Sequence, residues 1–464
     1  MLPALPFQIY GNPYFRIYLN KGVFMQFFDI LIKNGTILTM DSSNSRIEDG
    51  LIGINGDSIL YIGTEQPQNV FEARTVIDAK GGIILPGLIN GHTHAAMTLY
   101  RGLADDLPLM EWLNNYIFPL EKKINADFVY TGTLLACAEM IMSGTTTFCD
   151  MYIFEGDAAL AAKAAGMRCV VGEVLYDFDS PNYGTATNGL RYTESLIEKW
   201  QNDPLITIAV EPHALFTCSP DLISASNRLA LKYNVPLIIH LAETNNELLK
   251  IKEMYGKRPV EHLYSLDILG PHLIAAHCVH INDEDISLLS KNMVKVIHNP
   301  ESNMKLASGI APVPDMLSSG ITIGLGTDGC ASNNDLDLFS EMDTTAKLHK
   351  IKNMDTTVMD ALSVLRMATI EGAKALGIGN MTGSLERGKR ADIIIIDINK
   401  PHLVPLYNPY SHLVYSAKGS DISHTIINGR LVMAERRLLT MDMDDIIKKA
   451  VSKSKEIIGL LRSS

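Results

Sequence analysis

The chain has no Cys-x-x-Cys pair, no internal repeat, no low-complexity tract and no apolar run near the roughly 18 residues that a membrane-crossing helix needs. Each absence removes a class of function. The six cysteines, Cys137, Cys149, Cys169, Cys218, Cys278 and Cys330, stand far apart, so neither a zinc knuckle nor a dithiol redox site is expected. Reduced thiols in a cytoplasmic protein fit that spacing. Basic charge is also in deficit: 40 Lys and Arg against 52 Asp and Glu leave a formal charge of -12, which repels nucleic-acid phosphates and anionic membranes. Neither nucleic acid nor membrane is an expected partner. Pro3, Pro6, Pro13, Arg16 and Lys21 interrupt the apolar stretches of residues 1–24, and no basic segment precedes a continuous apolar core, so no secretory signal is read there. Residues 1–25 read as an N-terminal extension or an upstream start, with the first strand expected after Met25.

What is present is a chain of 464 residues, 47% hydrophobic, enough for one large domain with a smaller companion. Residues 26–82 hold short strand-like runs (FDILIKNGTIL, GLIGINGDSILYIG, TVIDAKG) with Asn-Gly and Gly-Asp at the expected reversals. The same texture returns within 383–440, in GKRADIIIIDIN and HTIINGRLVMAE, where Asn428-Gly429 matches the strand-turn context of Asn34-Gly35. The two ends are predicted to build one small β-sandwich together. Between them, over 83–382, apolar runs alternate with helical stretches such as AALAAKAAG, SASNRLALKY and EDISLLSKN, the pattern of βα units. The runs are GIILPGLI, TTTFC, RCVVGEVLY, LITIAVEP, VPLIIHL, LIAAHC, VKVIHNP and ITIGLGTD, which predicts an α/β fold with a (β/α)8 barrel. Residues 441–464, with DIIKKAVSKSKEIIGLL, are expected to close the chain as an amphipathic helix.

Barrel chemistry gathers where the strands end, so the polar residues closing those runs carry the functional reading. His92 and His94 alternate along the first strand and point their imidazoles to one side. Alone, an H-x-H is a weak signal. His240 at the end of the fifth run and Asp328 at the end of the eighth add a third nitrogen and a carboxylate around the same mouth, a donor set for one divalent ion. Taken singly, His240 reads as a buried histidine satisfied by a carbonyl and Asp328 as a helix cap; their joint placement favours the metal. No lysine ends the fourth run, so a bridged two-metal centre is not expected, and Zn2+, Fe2+ and Mn2+ all accept these donors. An ion so held lowers the pKa of water and directs it at an electrophilic carbon, which means hydrolysis. Attack on an aminated ring also needs protons at the ring nitrogen and the departing amine. Glu243, three residues past His240, suits the first transfer, against a bland reading as an exposed helix-start glutamate. Asp328 suits the second. His277, otherwise an internal histidine of AAHCVH, suits orientation of the attacking oxygen and substrate.

The ordered string LPGLINGHTHAAMTLYRGLADDLPLMEWL, SGTTTFCDMY, PHALFTCS, IIHLAET, AAHCVH, NPESNMKLASGIAPV, GLGTDGCASNNDLDLFSEM and GSLERGKRADIIIID resembles the amidohydrolase superfamily. Within it the chain is most similar to the methylthioadenosine/S-adenosylhomocysteine deaminase group, related to chlorohydrolases and guanine deaminases. The resemblance implies that His92, His94, His240 and Asp328 ligate one zinc or iron and that Glu243 shuttles the proton. It also implies that Glu121 binds ribose hydroxyls, that His213 contacts the nucleoside, and that copies of the chain assemble as a homo-oligomer. Trp112 and Ser332 are further candidates for the pocket wall. Some members use arginines around the third strand's loop to grip the carboxylate of S-adenosylhomocysteine; here that loop is read as carrying Glu173, and VLYDFDSPNYGTATNGL after it has neither Arg nor Lys. An uncharged 5′-substituent is therefore the expected preference. The expected reaction is hydrolytic deamination of a 5′-modified adenosine (5′-methylthioadenosine, S-adenosylhomocysteine, 5′-deoxyadenosine or adenosine) to the matching inosine. The alternative is a deaminase or chlorohydrolase of another aminated heterocycle, such as guanine, cytosine or a triazine.

Overall fold

A computed structural model describes residues 16–19, 23–65, 69–103, 105–107, 111 and 113–462. The barrel strands are Leu88–Thr93, Thr145–Tyr152, Arg168–Leu175, a fourth in two pieces (Ile206–Ile208 and Glu211–Pro212), Leu237–Leu241, Leu273–His277, Lys295–His298 and Ile323–Leu325. Neighbours in this order pair in parallel from the first strand to the fourth and from the fifth to the eighth. Isolated parallel bridges, Val210 to Leu237 and Ala214 to His240, join the two arcs. Most of these strands are buried along their whole length, which is why they read as unbroken apolar runs rather than as alternating ones.

The eighth strand meets the first without a ladder. Asp328 N–H donates to the His92 carbonyl at 2.9 Å. Beside it the Asn90 amide works in both directions: Nδ2 donates to Thr327 Oγ1 at 2.8 Å and Oδ1 accepts from Thr327 N–H at 3.0 Å. Asn90 and Thr327 have no solvent exposure, so neither finds a substitute partner in water. This seam fixes the relative height of two candidate ligands.

Both chain ends contribute to one ten-stranded sheet, in which Ile83–Pro86 pairs with Ile393–Ile396 and the latter with Ile422–Ile427. Isoleucines fill its core, among them Ile32, Ile52, Ile84, Ile393 and Ile426. Two local expectations are corrected. Asn34-Gly35 makes no reversal: it lies inside the 16-residue strand Val23–Leu38, where Asn34 takes φ 60° and the register against Arg46–Asn55 shifts. An added Cβ on Gly35 would lie 2.8 Å from Ala79 and Ile84, so this Asn-Gly serves a bulge under close packing. Asn428-Gly429, with φ 50° and 74°, is the true hairpin turn between Ile422–Ile427 and Arg430–Ala434. The sheet also starts before Met25, since Arg16–Leu19 pairs antiparallel with Val23–Gln26.

Met443–Arg462 forms the closing helix. Among the described residues no helix is long and apolar enough to cross a membrane. All six cysteines are buried free thiols. Replacing Asn90 with Ala strands the buried Thr327 N–H, and a destabilisation of about 1–3 kcal/mol is expected by chemical denaturation. A loss below about 0.5 kcal/mol contradicts the role given to this seam.

Candidate active site

The C-terminal ends of the strands, together with the helix Phe118–Glu121, bring the predicted residues to one cavity, lined by His94, Glu121, His213, His240, Glu243, His277, Asp328 and Ser332 among others. His92 lies directly beneath, fully buried. The backbone is bent to achieve this. His277 and Asp328 hold left-handed φ values of 72° and 63°, and Ala242, just before Glu243, has φ 52°. Such conformations cost an L-residue about 1–2 kcal/mol each and persist where surrounding structure enforces them.

His92 Nε2 and His240 Nε2 stand 3.1 Å apart, and Asp328 Oδ1 lies 3.1 Å from His94 Nε2 and 3.7 Å from His92 Nε2. His240 Nδ1 meets the His213 carbonyl at 2.9 Å and His94 Nδ1 the Met151 carbonyl at 2.5 Å. A carbonyl only accepts, so these Nδ1 atoms carry protons; His240 Nε2 turns a lone pair toward the cavity, and His94 Nε2 faces Asp328 Oδ1, where a bound ion would take the place of the proton those two groups otherwise share. Donor atoms of His92, His94 and Asp328 lie within 4.8 Å of one another, as do those of His92, His240 and His277. A proton shared between His92 and His240, or between His94 and Asp328, satisfies one pair at a time, whereas a single cation accepts lone pairs from all four. The residues present therefore fit a divalent cation.

Electrostatics agree with that fit. Burial, reinforced by the neighbouring imidazoles, holds His92 and His240 well below the usual histidine range and hence neutral. Burial opposes charge on His94 as well, but the hydrogen bond and charge of Asp328 raise its pKa to about 9. Asp328 stays ionised despite burial because His94 bonds to it. Burial pushes Glu243 above the usual carboxylate range while His277, with Nε2 at 4.0 Å, pulls it down. On the cavity's other side burial raises Glu121 to about 7, against the pull of Tyr152 and His94. Burial brings His213 down to about 3, and its Nδ1 contacts Thr217 Oγ1 at 2.9 Å.

A family model for the amidohydrolase family matches residues 83–432. The chain belongs to the amidohydrolase family. This amidohydrolase is 59% identical over 422 residues to the 5-methylthioadenosine/S-adenosylhomocysteine deaminase of Syntrophobacter fumaroxidans, covering 91% of this chain and 96% of that one. It is 46% identical over 437 residues to the 5′-deoxyadenosine deaminase of Methanosarcina mazei, covering 94% and 100%. The crystal structure of an adenosine deaminase from Xanthomonas campestris with bound zinc superposes with a TM-score of 0.90 at 35% identity, covering 94% of this chain and 99% of that one. The metal dependence of the family accords with the donor set found in this chain.

One position changes meaning in the structure of the amidohydrolase. Glu173 is not a loop residue: it sits within the third strand, fully buried, and accepts from Phe154 N–H (3.3 Å), Glu155 N–H (2.9 Å) and Asn182 Nδ2 (2.9 Å). Its carboxylate holds the start of the helix Glu155–Ala165 and takes no place in the cavity lining. Trp112 lies outside the described residues. Ser332 lines the cavity but donates to the Gly329 carbonyl at 3.1 Å.

Sequence reasoning passed over the residues that aim the site. Glu247 accepts from the N–H groups of Ala242 (3.0 Å) and Glu243 (2.9 Å), so it shapes the turn that presents Glu243. The signal was available as Thr244-x-x-Glu247, a capping pattern at the start of the helix Asn245–Tyr255. Asp150 likewise accepts from Ala95 N–H (2.6 Å) and Thr93 Oγ1 (2.8 Å), locking the segment around His94.

Glu121 gives a pH test. A carboxyl raised to about 7 from 4.5 retains in the folded chain a proton that the unfolded chain releases between those values. It therefore lowers stability as pH rises through that window, and the loss persists above it. Glu121→Gln removes this dependence, so the Tm of the variant relative to the parent is expected to improve between about pH 5 and about pH 8. A constant difference in Tm contradicts the shift.

Proposed function

We propose that the chain is a metal-dependent hydrolase that converts 5′-modified adenosines to the corresponding inosines with release of ammonia. The observation that carries the reading is the convergence of three imidazoles and one carboxylate beside Glu243 and His277 in a single cavity. Relatives named methylthioadenosine/S-adenosylhomocysteine deaminase and 5′-deoxyadenosine deaminase, matched along nearly their whole lengths, support the substrate class.

His92, His94, His240 and Asp328 are the proposed ligands of one ion, and zinc is the proposed metal, supported by its presence in the Xanthomonas adenosine deaminase. When bound there, a divalent ion supplies a water acidic enough to yield hydroxide near neutral pH. Asp328 accepts the proton of the attacking water. His277 accepts at Nε2 to keep the attacking oxygen facing the purine C6. Glu243, whose hold on a proton is strengthened by burial, gives its proton to the ring nitrogen N1 as the C–O bond forms. Asp328 then returns its proton to the exocyclic nitrogen, the proton left on the C6 hydroxyl passes to Glu243 as C6=O forms, the C6–N bond breaks and ammonia leaves. Glu121 and His213 are proposed to bind the ribose and the nucleoside. Glu121 accepts from the hydroxyls best when ionised.

An uncharged 5′-substituent is the proposed preference. The cavity lining supports it, since beyond the polar groups named it is built from side chains such as Leu113, Phe118, Val174, Phe216 and Leu306. Burying a carboxylate against such a wall is unfavourable without a partner. Action in the cytoplasm, supported by six unpaired buried thiols, and assembly as a homo-oligomer are further parts of the proposal.

Glu243→Gln is expected to retain metal and substrate binding while turnover drops by about 100-fold or more. A variant with near-normal rates removes Glu243 from proton transfer. Ammonia release is expected from 5′-methylthioadenosine and 5′-deoxyadenosine, more slowly from S-adenosylhomocysteine, and not from guanine or cytosine. Activity confined to the free bases overturns the nucleoside reading, and equal turnover of S-adenosylhomocysteine and 5′-methylthioadenosine overturns the 5′-preference.

A further inference from the structure

The motif NPESNMKLASG follows the seventh barrel strand, and nothing in the reaction above uses it. Its residues Pro300–Lys305 form a six-residue helix held against the site. Ser302 and Asn303 are adjacent and almost wholly buried, at 0% and 1% exposure. Ser302 Oγ donates to Asp328 Oδ2 at 2.6 Å. Asp328 Oδ1 is the oxygen facing His94 and His92, so the serine binds the opposite lobe of the same carboxylate. Asn303 Oδ1 lies 2.9 Å from His277 Nδ1. An amide oxygen only accepts, so His277 carries its proton on Nδ1 and presents a bare Nε2 to the cavity.

The helix is itself anchored from both sides. Glu301 N–H donates to Glu341 Oε2 at 3.3 Å, and Glu301 Oε1 accepts from Thr344 Oγ1 at 2.6 Å, both on the helix Leu338–Asn353. At the other end Lys305 Nζ pairs with Asp105 Oδ1 at 2.6 Å. Two consecutive side chains on a short, tethered element thus bond to two different groups of the site.

We propose that Ser302 and Asn303 are a pair of positioning residues with separate duties: Ser302 orients the Asp328 carboxylate as a metal ligand, and Asn303 fixes the tautomer and ring plane of His277 for the substrate. The inference rests on the proposed roles of Asp328 and His277. Hydrogen-bond partners of this kind change metal affinity or activity by about 10–100-fold when removed. The division of labour makes the two effects separable. Losing the serine hydroxyl weakens ion retention, whereas losing the amide oxygen leaves the ion in place and slows the chemical step.

The test compares Ser302→Ala and Asn303→Leu with Ser302→Thr and Asn303→Asp, which keep a hydroxyl donor and an oxygen acceptor. Zinc affinity is read by competition with a chromogenic chelator, and kcat and KM are read with 5′-deoxyadenosine. Ser302→Ala is expected to lose about 10–100-fold in zinc affinity, and Ser302→Thr to recover to within about fivefold. Asn303→Leu is expected to lose about 10–100-fold in kcat with KM and zinc affinity near the parent's, and Asn303→Asp to retain most of the rate. Parent-like behaviour of Ser302→Ala and Asn303→Leu overturns the proposal, as does a parallel fall of kcat, KM performance and zinc affinity in Asn303→Leu. If Ser302→Ala or Asn303→Leu does not fold, the conservative pair decides, and folded Ser302→Thr or Asn303→Asp proteins lacking zinc retention or turnover overturn it. A parent protein that neither holds zinc nor releases ammonia instead overturns the functional reading beneath.

Discussion

Imidazole nitrogens and a carboxylate oxygen brought together in a buried space form the constraint on which the rest of this molecule depends. His92 and His240 face each other through Nε2 at 3.1 Å, and Asp328 Oδ1 stands 3.1 Å from His94 Nε2. Desolvation keeps His92 and His240 neutral, so no charge of their own holds them in place. A cation among them converts mutual repulsion of lone pairs into binding energy, and in the proposed reading that same cation activates water. Structure and chemistry then draw on one interaction.

The surrounding fold supplies the geometry for that interaction. Because the eighth strand meets the first through Asp328 N–H and the His92 carbonyl, the barrel seam and the proposed ligand set share residues. Left-handed backbone at His277 and Asp328 bends the chain at the strand ends. Buried carboxylates away from the proposed ligands do similar work. Asp150 ties down the residues after His94, Glu247 shapes the turn bearing Glu243, and Glu173 starts the helix after the second strand. None of the three needs to touch substrate. Each costs desolvation and is offset by backbone N–H donors that would otherwise lack partners.

What was legible in the sequence follows from these physical facts. Strands buried on both faces announce themselves as apolar runs, so the barrel and the polar residues ending its strands could be read directly, including His92, His94, His240 and Asp328. Residues acting through backbone contacts left weaker traces. Asn34-Gly35 looked like a hairpin turn because a left-handed Asn before Gly serves a bulge as readily as a reversal, and only pairing with Arg46–Asn55 tells them apart. Glu173 looked like a loop residue because a carboxylate within a buried strand is rare and its partners lie 18 and 19 residues earlier in the chain. Ser302 and Asn303 lie 26 residues from the groups they bond, a separation that no local pattern reports.

The most direct test of the central claim is a zinc titration of the chelator-treated protein with ammonia release from 5′-deoxyadenosine as the readout. The rate is predicted to rise linearly and to break at one zinc per chain, with no activity before addition. Full turnover by metal-free protein, or a break at two ions per chain, would contradict a single cation held by His92, His94, His240 and Asp328.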